Sequence, residues 1–217
     1  MNPKLTKWIK WIGLIKKDIV HLSTLHKVHS DFVDIVKSNP IVNQENLFFW
    51  YIEQTYYSCI LSGVRRHDID KMCSASLANL LKDMIENPKE YNKNEYNRPE
   101  DKTFCEFGLI DTPEYADSTG NYLNEELIKN DYEQLTERIK SCCDFVDRRI
   151  AHLDARPMDS IFPPDYSTIN DCIKIIDDTF IKYNGLLTRT STNTIIHDVK
   201  RWQNMFKNAW VKPDAVF

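Results

Sequence analysis

The stretch Asp147-Arg148-Arg149-Ile150-Ala151-His152-Leu153-Asp154-Ala155-Arg156 concentrates side chains that handle phosphate esters. Arginine offers a planar fork of donors that matches phosphate oxygens. Histidine titrates near neutrality, so it can take the proton of a ribose 2′-hydroxyl or return one to a leaving oxygen. On a helix turning about 100° per residue, Arg149, His152 and Arg156 point in nearly one direction. Phe145 shares that row, which runs beside an apolar stripe through Val146. Arg148 turns further toward solvent, and Asp144 and Asp147 moderate the local charge. A phosphodiester would suit this row. A plainer arrangement would also account for it, with the histidine hydrogen-bonded at a bundle edge and the arginines paired to Asp144, Asp154 or a nearby loop.

A second cluster, Arg65-Arg66-His67-Asp68-Ile69-Asp70-Lys71, closes a strongly apolar helix. Cations are favourable at a helix C-terminus through the macrodipole, which accounts for much of it; gripping a ligand or partner is the functional alternative. Asp68 and Asp70 have no further carboxylate or histidine at a helical spacing that would complete a metal site. His21, His26 and His29 likewise lack a carboxylate or cysteine partner at ligand spacing and read as a partly solvated helix face. There is no glycine-rich phosphate loop, no GxSxG elbow and no HExxH. Neither a metal nor an organic cofactor is expected. Gly63, isolated late in a helix, reads as a close-packing position.

Positioning these side chains falls to helices. In a chain of 217 residues, 42% apolar and 12% aromatic, only five glycines occur, too few for a turn-rich β sandwich or barrel. The pattern predicts one all-α domain, an antiparallel bundle of about six helices. The first covers residues 3 to about 37, with a seam of Leu5, Trp8, Ile12, Ile15, Ile19 and Leu22. That seam slips to Leu25, Val28, Phe32 and Ile35, which implies a bend or a change of partner helix. The second covers about 43 to 67, and its apolar core on nearly every side marks it as central. A third, capped by Ser74 or Ser76, carries Leu77, Leu80, Leu81, Met84 and Ile85. Residues 88 to about 121 read as a loop or insertion. A fourth helix runs from about 122 to 153. A fifth carries Ile169, Cys172, Ile176, Phe180, Tyr183 and Leu187. A sixth starts near Thr192 or Asn193 and carries Ile195, Val199, Trp202, Phe206 and Ala209.

The net charge of -4 provides no global attraction to nucleic acid or anionic membranes, so any RNA-binding surface must be local. The six cysteines form no CxxC pair, and Cys59, Cys142 and Cys172 fall on apolar stripes, as buried thiols in a reducing compartment would. The apolar face of residues 5 to 19 is broken by Lys7, Lys10, Lys16 and Lys17, so neither a secretory signal nor a membrane span is expected. A cytoplasmic protein is the expectation.

The order of a long aromatic helix ending in Arg-Arg-x-Asp, then "SLANLL", then after an insertion "DRRIAHLDAR", then a closing hairpin resembles the HEPN superfamily of helical bundles. It is most like the abortive-infection (Abi-U type) branch. The resemblance covers roughly residues 40 to 190. It implies a protein of a bacterial defence or toxin–antitoxin system, and in active members a metal-independent endoribonuclease working as a homodimer. The hallmark is an arginine, usually followed by a polar residue, with roughly four to six intervening positions before a histidine. His152 matches that histidine. The expected arginine positions hold Phe145, Val146 and Asp147, so Arg149 or Arg148 would have to serve as phosphate clamp, supported by Arg65 or Arg66, with Arg156 and Asp147 at the substrate-binding margin. The departure leaves a second expectation beside the first: a non-catalytic module that dimerises or docks a cognate protein. RNA, a second copy or a protein are thus the expected partners; a membrane is not.

Overall fold

The computed structural model describes residues 2–39, 47–68, 74–91, 115–119, 121–152, 162–188, 190 and 202–207. Among them the fold is all-α: α1 (Pro3–Ser38), α2 (Leu47–Arg65), α3 (Leu77–Glu86), α4 (Glu125–Phe145), which runs into a π-helical turn (Val146–Ile150), and α5 (Tyr166–Thr188). Two 3-10 segments, Pro88–Glu90 and Trp202–Lys207, complete the described helical elements. No strand is formed among the described residues, only an isolated bridge between Ala116 and Leu123. None of the described helices is long and apolar enough to cross a membrane.

The N-terminus of α1 is set by Asn2, whose side chain accepts the Lys4 N–H at 2.8 Å, with Pro3 pre-shaped for the first turn. The seam from Leu5 to Leu22 is buried. The slip in its pattern corresponds to a change of partner along one unbroken helix. Near its start α1 lies on α3, where Asp83 accepts from Lys4 (2.7 Å), Lys7 (3.0 Å) and the Trp8 indole (2.9 Å). Near its end it lies on α2 and α5. Where α1 passes α2, a Cβ on Gly63 would stand 2.5 Å from Leu22 Cδ1, so the glycine makes room for the buried Leu22 side chain, which would have to shift for any larger residue.

Ser76 caps α3 by accepting the Asn79 N–H at 3.1 Å. Asn124 caps α4 by accepting from Leu127, and Glu125 and Glu126 favour the positive end of the helix. The apolar stripe of α5 is buried as its spacing predicts.

Three expectations need correction. Residues 47–60 of α2 are not central: Leu47 is 84% exposed, and Phe48, Trp50 and Tyr51 are exposed as well. Among the described residues of α2 only Tyr56, Ile60, Leu61, Gly63 and Val64 are buried, while its N-terminal half meets α1 along one side, at Phe32 and His29. Cys59 is exposed, on the outer face of α2, whereas Cys142 and Cys172 are buried. The fourth helix does not continue in α-form to residue 153; it widens at Val146. Most of the expected sixth helix, and residues 92–114 of the expected insertion, lie outside the described residues.

Candidate functional site

The two sequence clusters meet where the end of α2 packs on the π turn. Arg65 Nε donates to Asp147 Oδ1 at 2.9 Å, joining residues 82 apart in the chain. That hydrogen bond, assisted by the carboxylate charge, makes Arg65 harder to deprotonate. The π turn is closed by the Ala151 N–H donating to the Val146 carbonyl at 2.8 Å, five residues back. Turns of this kind are uncommon and recur at functional sites. Here the widened turn keeps Val146 in the core while Asp147 stands exposed against Arg65.

Arg148 and Arg149 are half-buried on the turn, and His152 is exposed in the bend after it. The α-periodicity on which the row of Arg149 and His152 rests ends at Phe145, and Arg149 lies on the π turn that follows. Arg156 lies outside the described residues. Arg66 is directed elsewhere: its Nε and Nη2 donate to Asp18 of α1 at 2.8–3.1 Å. The buried His67 places Nε2 3.4 Å from the same carboxylate. Burial pushes the Asp18 carboxyl up, but hydrogen bonds from His67 and Arg66 outweigh it and hold the group well below the usual carboxylate range. Arg66 thus ties α2 to α1, and of the second cluster only Arg65 reaches the π turn.

Beside this edge opens a cleft of about 500 Å³ lined by Asp68, Glu133, Glu137, Asp144 and Asp147, with Lys140 the one cation among the described residues that line it. Lys140 is itself paired to Asp144 at 2.8 Å. Carboxylates at that density repel a phosphodiester. Among the described residues no group of three histidine, cysteine or carboxylate side chains is placed to hold a metal ion.

A second histidine cluster is a correction to the sequence reading. His21 is exposed and His26 half-buried, as a partly solvated face would be, but His29 is 5% exposed and stacks on Tyr56 with ring centroids 3.5 Å apart and planes 5° from parallel. Its Nε2 donates to Glu53 at 3.1 Å. His26 bridges the hydroxyl of Tyr56 (2.6 Å) and the side-chain oxygen of Asn170. The amide oxygen can only accept, so His26 carries its proton on Nε2 and Nδ1 accepts from the tyrosine. Burial lowers the pKa of both histidines, against the opposing pull of Asn170 on His26 and Glu53 on His29. The cluster locks α1, α2 and α5 together. Its sequence signal was a pair of histidines at i, i+3 entering an apolar stripe, with Tyr56 supplied from another helix.

No protein-family model, curated protein or solved structure matches this chain.

Proposed function

We propose that this chain is a HEPN-like bundle of a bacterial defence or toxin–antitoxin system, and that its π-turn edge cleaves RNA without a metal ion. The observation that carries the reading is the union of the two clusters through Arg65 and Asp147. Arg148, which has no carboxylate partner among the described residues, and exposed His152 follow that junction directly in the chain. Arg148 would hold the non-bridging phosphate oxygens. His152 would take the 2′-hydroxyl proton as the 2′-oxygen attacks phosphorus. As the P–O5′ bond breaks, the proton passes to the 5′-oxygen, leaving a 2′,3′-cyclic phosphate and a 5′-hydroxyl. One arginine and one histidine form half of a balanced acid–base site; a homodimer would bring the second half.

A second reading, a non-catalytic module that docks a cognate protein, is favoured by the engagement of Arg66 with Asp18, which takes that arginine away from the edge. It is also favoured by the aromatic half of α2 that stands in solvent. The two readings separate in one assay. Wild type, His152→Ala and Arg148→Ala are incubated with a mixed RNA pool in EDTA. The ribonuclease reading expects cyclic-phosphate ends from wild type and a rate at least ~100-fold lower for His152→Ala, with unchanged folding because the side chain is exposed. Silence from wild type, or equal cutting by wild type and His152→Ala, hands the edge to the docking module.

A further inference from the structure

Cys142 on α4 and Cys172 on α5 meet across the helix pair with sulfurs 3.5 Å apart, both fully buried. Cys172 Sγ also lies 3.4 Å from the Arg138 carbonyl, to which it donates. A thiol has one proton to give, so with Cys172 bonded to the carbonyl, Cys142 is the donor between the two sulfurs. That donor favours the thiolate at Cys172: the bond lowers the Cys172 pKa and raises that of Cys142. Cys143, next in the chain, belongs to the other side of α4. Burial pushes its thiol up, and its charged neighbours are Asp68 and Arg65. Between α4 and α5 lies a cleft of about 590 Å³ whose lining includes Arg138, Ser141, Thr168 and Asp171. Ser141 and Asp171, the chain neighbours of the two cysteines, line it, but the cysteines themselves are fully buried, so a small solute reaches the sulfur pair when the α4–α5 seam opens locally.

We propose that Cys142 and Cys172 are a redox site, a dithiol that hydrogen peroxide or a comparable small peroxide converts to an α4–α5 disulfide. The Cys172 thiolate attacks one peroxide oxygen and the O–O bond breaks, leaving a sulfenic acid and, after proton uptake, water. The Cys142 sulfur then attacks the sulfenic sulfur. The S–S bond forms, the S–O bond breaks, and hydroxide leaves as a second water with the Cys142 proton. Two thiols and one peroxide become one disulfide and two waters, and a dithiol reductant reverses the change. Closing the sulfurs to about 2.05 Å needs roughly 1.5 Å of movement, shared between two side chains. The carbonyls of Cys142 and Cys143 both receive the Val146 N–H, so the staple would sit at the root of the π turn. Redox control of the Arg148 and His152 edge rests on the ribonuclease reading; the disulfide itself does not.

The full chain is treated with hydrogen peroxide, quenched with N-ethylmaleimide in denaturant and digested without reduction. The expected product is an intramolecular peptide pair joined through Cys142 and Cys172. It is lost on dithiothreitol treatment and retained in Cys143→Ser. Closing a loop of this length raises the midpoint of thermal unfolding by roughly 7–14 °C. Recovery of both cysteines as alkylated thiols after exposed Cys59 has oxidised overturns the site, as does a link made through Cys143. Wild-type mapping needs no variant to fold. It reads thiols and not RNA, so a chain that links but never cuts keeps this site and loses the ribonuclease reading.

Discussion

His29 and His152 stand in opposite surroundings within one bundle. His29 is buried between three helices, stacked on Tyr56 and bonded to Glu53. His152 is exposed beyond the last helical turn of its segment, with Arg148 as a near neighbour in the chain. The first is held by its environment and can contribute mainly to stability. The second is open to solvent and can approach a ligand. A histidine pattern in sequence thus says less about function than the number of elements that converge on it.

The comparison breaks most readily at Tyr56, which is 3% exposed. Tyr56→Ala removes the ring beneath His29 and the hydroxyl on His26, and should cost about 3–5 kcal/mol in urea unfolding. A loss below about 1 kcal/mol would mean that α1, α2 and α5 are joined elsewhere. The next test is acid. Both His26 and His29 have pKa values lowered below 6.5 by burial. The unfolded chain therefore binds their protons first, and stability is full above 6.5 and falls as pH drops through the lowered folded values. A thermal-unfolding series from pH 7.5 to 5 should show that decline, with a shallower slope in His29→Gln; parallel slopes would remove His29 as its source. The smallest effect belongs to the exposed edge. Arg65 and Asp147 are partly solvated, so Asp147→Asn should cost less than about 1 kcal/mol. It also frees Arg65, so fluorescence anisotropy should show a labelled RNA oligonucleotide bound more tightly. A cost comparable to that of Tyr56→Ala would erase the contrast between the two regions.

Local chemistry made much of the fold legible. Pro3, Ser76 and the stripes of α1, α3 and α5 lie where periodicity and capping put them, because those signals act over a few residues. The contact of Arg65 with Asp147 spans the chain, and nothing in either cluster names the other. The setting of His26 and His29 depended on Tyr56 and Asn170 arriving from two more helices. The aromatic half of α2 misled for the converse reason: apolar character states a preference, and whether a neighbour satisfies it is decided by where the other helices pack. The α-to-π change at Val146 was invisible to a fixed 100° step.

A π turn holds one residue more than the α turn it replaces, so the chain leaves Ile150 rotated by about 100° from an uninterrupted helix. Homologues that lack the extra residue would keep the same core at Val146 yet place the following histidine one position earlier. An alignment of such chains therefore needs a one-residue gap within 146–150. Without it, Arg148 and Arg149 would be matched to the wrong columns, and the arginine-to-histidine interval would be miscounted by one.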